Sequence, residues 1–231
     1  HGEREYERLR EELHQYRKQS SELLEQYLEL ISDIKQKRIK SLKDLDEQGN
    51  EQKTALIKLA QQVKPMEMKG KNISVFGITS TGKSTLVNSL MGKKVAATGR
   101  GETTTEIQAY PREQFTIWDV PGRNDETFHM TMEYISISFF KGLTIRLITI
   151  QCTVKESSST MKFLDELGLD YDIIVNKFDT VDEDERDIFR EQIHREIREL
   201  GLKNVNKVFF VSAKHQQMFP DWITMVDYLT N

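Results

Sequence analysis

Cysteine is almost absent from this chain. Cys152 is the single one in 231 residues, so no internal disulfide can form, and its place in an apolar run predicts a small core residue in a reducing compartment. Proline occurs four times. Residues 3 to 47 contain neither glycine nor proline, which leaves nothing there to stop a helix. No apolar run approaches the roughly 18 residues of a membrane span, and no signal-peptide pattern is present. Charge of one sign is not in excess. The formal net charge is -4, which argues against broad attraction to nucleic acid or acidic lipid. No repeat and no low-complexity segment occurs. The chain opens His1-Gly2 without an initiator Met, as an excised fragment or a cloning remnant would.

Two segments of different character follow. With 37% hydrophobic and 30% charged residues, the chain is polar for a compact domain, which points to a part rich in exposed helix. Tyr6, Leu9, Leu13, Tyr16, Leu23, Tyr27, Leu30 and Ile34 alternate by three and four, with Ser20 in the one gap. That is a heptad seam. Leu24, Leu28 and Ile31 widen it. The pattern predicts a helix over about 4–47, a stop at Gly49-Asn50 and a second helix over about 51–63, together an all-α segment spanning 1–69. Two readings stay open: a helical hairpin covering its own molecule, or a coiled coil that joins a second copy or a protein partner. The basic run Lys35, Lys37, Arg38, Lys40, Lys43 is either a solvated helix face or a contact for an acidic membrane surface.

From about 70 to 231 short apolar runs alternate with helical stretches. Runs at 73–76, 115–118, 145–150, 172–175 and 208–211 read as strands. Helices are expected around 83–91, 126–141, 158–167, 184–200 and 220–229. That alternation predicts an α/β domain with a six-stranded, mostly parallel sheet. The residues Ile107–Tyr110 and Gln114–Trp118 read as an antiparallel hairpin at one edge.

Residues Gly77-Ile-Thr-Ser80-Thr81-Gly82-Lys83-Ser84 form a full GxxxxGK[ST] loop between a strand and a helix, the context that phosphate binding requires. The glycines let backbone N–H groups converge on phosphates, and the helix dipole assists. Lys83 is expected to bridge the β- and γ-phosphates, the Ser84 hydroxyl to ligate Mg2+, and the Thr85 N–H to meet the α-phosphate. Asp119, at a strand end, suits the Mg2+ carboxylate that acts through water. Gly122 suits close backbone approach to the γ-phosphate. In Gly101-Glu-Thr103-Thr104-Thr105, Thr104 is the candidate to complete the Mg2+ shell, with Thr103 and Thr105 beside it.

Asn176-Lys177-Phe-Asp179 selects the base. The Asp179 carboxylate can accept from guanine N1–H and the 2-amino group, a donor pair that adenine lacks. Lys177 would lie over the purine, Asn176 would tie the segment to the phosphate loop, and the Ala213 N–H of Ser212-Ala213-Lys214 would meet guanine O6. GTP or GDP with Mg2+ is therefore the expected ligand. Arg123 stands where a water-orienting Gln follows Gly122 in many small GTPases. Arginine cannot act as a base, so Arg123 is either a charge stabiliser, in cis or across a dimer, or an exposed residue.

These motifs are identified as those of the P-loop GTPases, over roughly 72–231. The helical segment ahead of the domain, Trp118-Asp119-Val-Pro-Gly122 with its non-Gln successor, and Phe219-Pro220 opening the last helix most resemble the immunity-related and dynamin-like members. Those families build a helical domain from both flanks, whereas this chain stops at Asn231 as the last helix ends. The resemblance implies GTP hydrolysis, a homodimer through the nucleotide face, a cytoplasmic location, membrane association, and a monovalent cation held with the help of Ser80. The absence of Gln after Gly122 also supports an alternative, a slow nucleotide-gated switch or scaffold that binds a protein partner through its N-terminal helices. A ribosome- or RNA-linked GTPase shares the same motifs, but the acidic balance argues against that partner.

Overall fold

In the computed structural model, residues 2–96, 107–121 and 134–231 are described. Side chains of most positions before 21 lie outside that description, including seam residues Tyr6, Leu9, Leu13, Tyr16 and Ser20.

Six strands build one sheet: β1 (Lys71–Gly77), β2 (Gln108–Pro111), β3 (Phe115–Asp119), β4 (Ile145–Ile150), β5 (Tyr171–Val175) and β6 (Val205–Phe210). Their order is β2-β3-β1-β4-β5-β6. Among the described residues only β2 and β3 pair antiparallel, and β1, β3, β4, β5 and β6 run parallel. Central strands covered on both faces need no polar alternation, and β4 and β5 are buried at every position. This is the α/β P-loop GTPase fold, with the edge hairpin where the sequence places it.

Helices α4 (Lys83–Met91) and α8 (Asp221–Thr230) cover one face. Leu86, Val87, Leu90, Trp222, Met225 and Leu229 form its core with Ile73, Val75 and Ile117. The other face carries α5 (Tyr134–Gly142), α6 (Ser158–Glu166) and α7 (Arg186–Glu199). Phe139 and Phe140 of α5 meet Trp118 and Phe76 edge-on, at 5.0 and 5.3 Å between ring centroids.

The N-terminal segment differs from the single helix expected over 4–47. It forms α1 (Gly2–Gln36), α2 (Leu42–Gln48) and α3 (Asn50–Gln62). The break falls just past Ile34, where the three-and-four spacing meets polar Lys37 and Ser41 in place of apolar residues. Arg38 takes a left-handed φ of 56°, Ile39 is buried as a plug, and the Ser41 hydroxyl caps α2 by accepting from the Asp44 N–H at 3.0 Å. Gly49 joins α2 to α3. A Cβ there would come within 2.8 Å of Ile39 Cδ1, so a larger residue would have to displace that side-chain methyl. Tyr27, Ile31 and Ile34 of α1 are buried in the same core as Phe76, Phe139 and Phe140. The second half of the seam is therefore engaged within the molecule. Leu24 and Leu28, from the second stripe, stay exposed. Among the described residues no helix is long and apolar enough to cross a membrane.

Helix α5 ties this segment down. The Ser138 hydroxyl donates to Lys64 O at 2.8 Å and Ser138 O accepts from the Met66 N–H at 2.8 Å. Lys141 Nζ donates to Ala60 O at 2.6 Å and Val63 O at 2.8 Å, capping the carboxyl end of α3.

Candidate functional site

The chain turns sharply between β1 and α4. Gly77 has φ 145° and Gly82 φ 85°. A Cβ on Gly77 would lie 2.5 Å from Thr149 O, and one on Gly82 2.4 Å from Asn176 Nδ2. Another residue would have to displace the β4 backbone at Gly77 and the Asn176 side chain at Gly82. Between them, exposed Ser80 also takes a left-handed φ of 76°, and buried Thr81 donates its hydroxyl to Ile78 O at 2.9 Å. The Leu86 N–H bonds to Gly82 O at 2.8 Å, and no side chain caps the helix start. The N–H groups of Lys83, Ser84 and Thr85 thus open the helix as orphan donors facing the loop, the geometry of an anion cradle.

Lys83 is half-buried at this start. Burial lowers its pKa from the ordinary lysine value, and the Asp119 carboxylate opposes that shift. Asp119 itself is 1% exposed at the end of β3. A cation taken out of water and a buried carboxylate beside it suit a polyphosphate with its metal ion better than an empty loop. Among the described residues no group of three or more His, Cys, Asp or Glu is placed to hold a metal. A Mg2+ here would draw on the Ser84 hydroxyl, phosphate oxygens and water, with Asp119 behind, which is the manner in which Mg2+ is commonly bound. The residues present fit that ion.

Asn176 joins the phosphate loop to the base segments. Its Nδ2 donates to Thr81 O at 2.9 Å and its Oδ1 accepts from the Ala213 N–H at 3.0 Å. It is 2% exposed. Lys177, left-handed with φ 57°, donates from Nζ to Ser80 O at 2.6 Å. Asp179 is half-buried, with His215 Nε2 at 4.0 Å from its Oδ2. The Ser212 hydroxyl accepts from the His215 N–H at 3.0 Å, and Ala213 O accepts from the Ser89 hydroxyl of α4 at 2.7 Å. Lys214 is exposed. The segments 77–83, 176–177 and 212–213 thus lie together at the carboxyl ends of β1, β5 and β6.

Thr103, Thr104, Thr105, Gly122 and Arg123 lie outside the described residues. Their expected parts in the metal shell and in catalysis stay with the sequence.

Cys152 is exposed, not the core residue expected. Strand β4 ends at Ile150, so the apolar run breaks before Cys152 and the chain turns out. That turn is a feature the sequence reading missed. The Glu156 carboxylate accepts from the N–H groups of Gln151, Cys152 and Thr153 at 3.3, 2.8 and 3.1 Å. The signal was Thr153-x-x-Glu156, a capping box. Gln151 Oε1 then lies 3.4 Å from Lys177 Nζ. Buried Glu196 of α7 accepts from the Thr153 hydroxyl at 2.6 Å and the Val154 N–H at 2.8 Å. Burial raises its pKa, but the Thr153, Gln192 and Val154 hydrogen bonds and Lys155 together hold it below the ordinary glutamate value.

Comparison with known proteins agrees with this geometry. The sequence profile described as 50S ribosome-binding GTPase matches residues 72–211, more than half of the chain. GTPase Der of Glaesserella parasuis is 29% identical over 202 residues, covering 81% of this chain and 39% of that protein. GTPase Der of Staphylococcus saprophyticus is 27% identical over 161 residues, covering 63% and 36%. The chain therefore spans well under half the length of these relatives. An Era variant of Aquifex aeolicus, solved with GDP and aluminium fluoride, superposes with a TM-score of 0.50 at 20% identity, over 71% of this chain and 58% of that one. That likeness concerns the fold alone.

None of these is a dynamin-like or immunity-related protein, so that narrower resemblance has no support from them. The family's description also runs against the expectation that nucleic acid is not a partner. Net charge sums the whole chain and does not report the charge of one surface.

Proposed function

The chain belongs to the 50S ribosome-binding GTPase family, and from that premise we propose that it binds GTP and GDP with Mg2+ and hydrolyses GTP to GDP and phosphate. The observation that carries the reading is Asn176, whose side chain joins the phosphate loop at Thr81 to the guanine segment at Ala213. A cleft joined in that way serves a ligand with phosphate at one end and a base at the other.

Lys83 and the helix-start N–H groups take the phosphates, Ser84, Thr104 and Asp119 serve the metal ion, and Asp179 reads the base. Lys177 and Ala213 complete the base site, with Ser212 and Lys214 shaping its loop. Gly122 approaches the γ-phosphate. Mg2+, when bound, neutralises charge on the β- and γ-phosphate oxygens.

The test is Asp179→Asn. Asparagine offers an amide donor where the carboxylate only accepts, which matches the 2-oxo group of xanthine and opposes the 2-amino group of guanine. GTP affinity is expected to fall by two orders of magnitude or more, roughly the loss for a mismatched buried donor–acceptor set, while XTP affinity rises. Unchanged GTP affinity would remove Asp179 from the base site.

A ribosomal particle is the partner that family membership favours. Co-sedimentation with 50S subunits in GTP but not GDP is the expected outcome, and nucleotide-indifferent sedimentation would count against it. Arg123 in place of Gln favours a second reading, in which a dimer through the nucleotide face supplies the group that completes catalysis. That reading requires a hydrolysis rate per molecule that rises with protein concentration.

A further inference from the structure

Phe178 occupies the one position of Asn176-Lys177-Phe178-Asp179 to which the nucleotide chemistry assigns no part. Its ring is fully buried. Phe219, Phe210 and Phe189 surround it at centroid distances of 4.8, 5.2 and 6.1 Å. Two half-buried cations from successive turns of α7 close the cage. The guanidinium of Arg190 stands 4.7 Å from the Phe178 centroid and 4.9 Å from that of Phe210. That of Arg186 stands 5.1 Å from Phe219 and 5.9 Å from Phe178.

The segment that Phe178 anchors is under backbone strain. Lys177 holds a left-handed φ of 57°, a conformation unfavourable to a residue with a Cβ and kept only where the surroundings fix it. On the backbone, the Phe178 N–H bonds to Val211 O at 3.1 Å, and the Asn176 N–H to Ile150 O at 2.9 Å. Arg186 Nε also donates to Val181 O at 3.1 Å, past the far side of Asp179. Helix α7 therefore grips the strained segment on both sides of the base-reading carboxylate.

We propose that Arg190, with Arg186, is a positioning residue for guanine recognition: the two guanidinium groups fix the Phe178 ring and thereby the orientation of the Asp179 carboxylate. The proposal rests on the nucleotide reading above and adds a determinant from outside the cleft. Cations over aromatic faces, partly withdrawn from water, attract strongly enough to hold such an anchor. The arginine stems add apolar packing, so Arg190→Met keeps the packing and removes the cation.

The readout is the ratio of GTP to ITP affinity, measured with Mg2+ on the full chain. ITP lacks the 2-amino group, so the ratio reports one hydrogen bond to Asp179 and is blind to general loosening of the phosphate loop. The wild-type protein is expected to prefer GTP by about tenfold or more, as a hydrogen bond to a charged acceptor gives. Arg190→Met should cut that preference by roughly threefold or more, with ITP affinity little changed. Arg190→Lys, which keeps a cation over the ring, should recover part of it. GTP and ITP affinities falling together, or a preference equal to wild type in the folded variant, would overturn the proposal. If Arg190→Met does not fold, Arg186→Met is read by the same criterion. A wild-type protein without preference for GTP over ITP would instead strike at the base-reading function itself.

Discussion

Burial keeps the Lys83 ammonium below its ordinary pKa, against the pull of Asp119. A lysine whose folded pKa is depressed binds its proton less tightly in the folded state than in the unfolded one. At neutral pH, with the charge present in both states, it therefore costs stability. Polyphosphate would relieve that cost. Lys83→Met should leave the nucleotide-free protein as stable as wild type or about 1 kcal/mol more so. It should also abolish the rise in melting temperature that GTP gives the wild type. A variant that melts far lower and still responds to GTP would make Lys83 a structural residue. Individual residues were legible to the extent that their chemistry was local. The tie from Asn176 to the phosphate loop was readable because it sits in a fixed motif, and its side chain does bond to Thr81 O. Cys152 was misread, since an apolar neighbourhood in sequence does not say where β4 ends. Glu196 was not readable at all. Its partners Thr153 and Val154 lie more than forty positions away, and only the packing of α7 brings them together.

Elements followed their patterns where one signal dominated. The buried strands β4 and β5 and helix α4, which runs from the phosphate loop to a left-handed Gly92, were plain in the sequence. The break at 37–41 was not, because a weak seam over a polar stretch fits one helix or two equally well. Helix termini depend on distant partners in the same way. Arg146, 6% exposed at the start of β4, donates to Phe140 O at 2.8 Å, Leu143 O at 3.1 Å and Lys141 O at 3.4 Å, and so closes the carboxyl end of α5. Burial, opposed by Asp170, lowers its pKa to about 10. Arg146→Met leaves these carbonyls without donors and should cost about 2–4 kcal/mol in urea unfolding. A loss below about 0.5 kcal/mol would show that water replaces the guanidinium without penalty. Glu196 joins α7 to the turn after β4 through its ionised form. Its folded pKa is depressed, so its stabilisation is present above the unfolded glutamate value, near 4.3, and is lost as pH falls through the folded value. Glu196→Gln should therefore destabilise at pH 7, by about 1.5–3 kcal/mol as for hydrogen bonds to a charged group. The gap to wild type should narrow steadily below pH 4. A gap independent of pH would place the effect in shape and not in charge.

At the scale of the whole molecule, two cores flank one sheet, and the N-terminal helices share the core that holds α5, α6 and α7. The hairpin is thereby connected to the helix that follows residues 122–133, through Ser138 and Lys141. The mostly parallel six-stranded sheet and its antiparallel edge hairpin were legible in the sequence, because strand–helix alternation leaves few topologies. The docking of the hairpin was not legible, since a heptad seam reads the same whether its partner is the same chain or another. The proposed function puts phosphate at Lys83 and the base at Asp179. The most direct test is equilibrium binding of GTP and ATP to the wild-type protein with Mg2+, with the product of GTP turnover identified in the same samples. Tight GTP binding is expected, with ATP weaker by a hundredfold or more and GDP with phosphate as products. Equal affinity for the two nucleotides, or none for either, would contradict it.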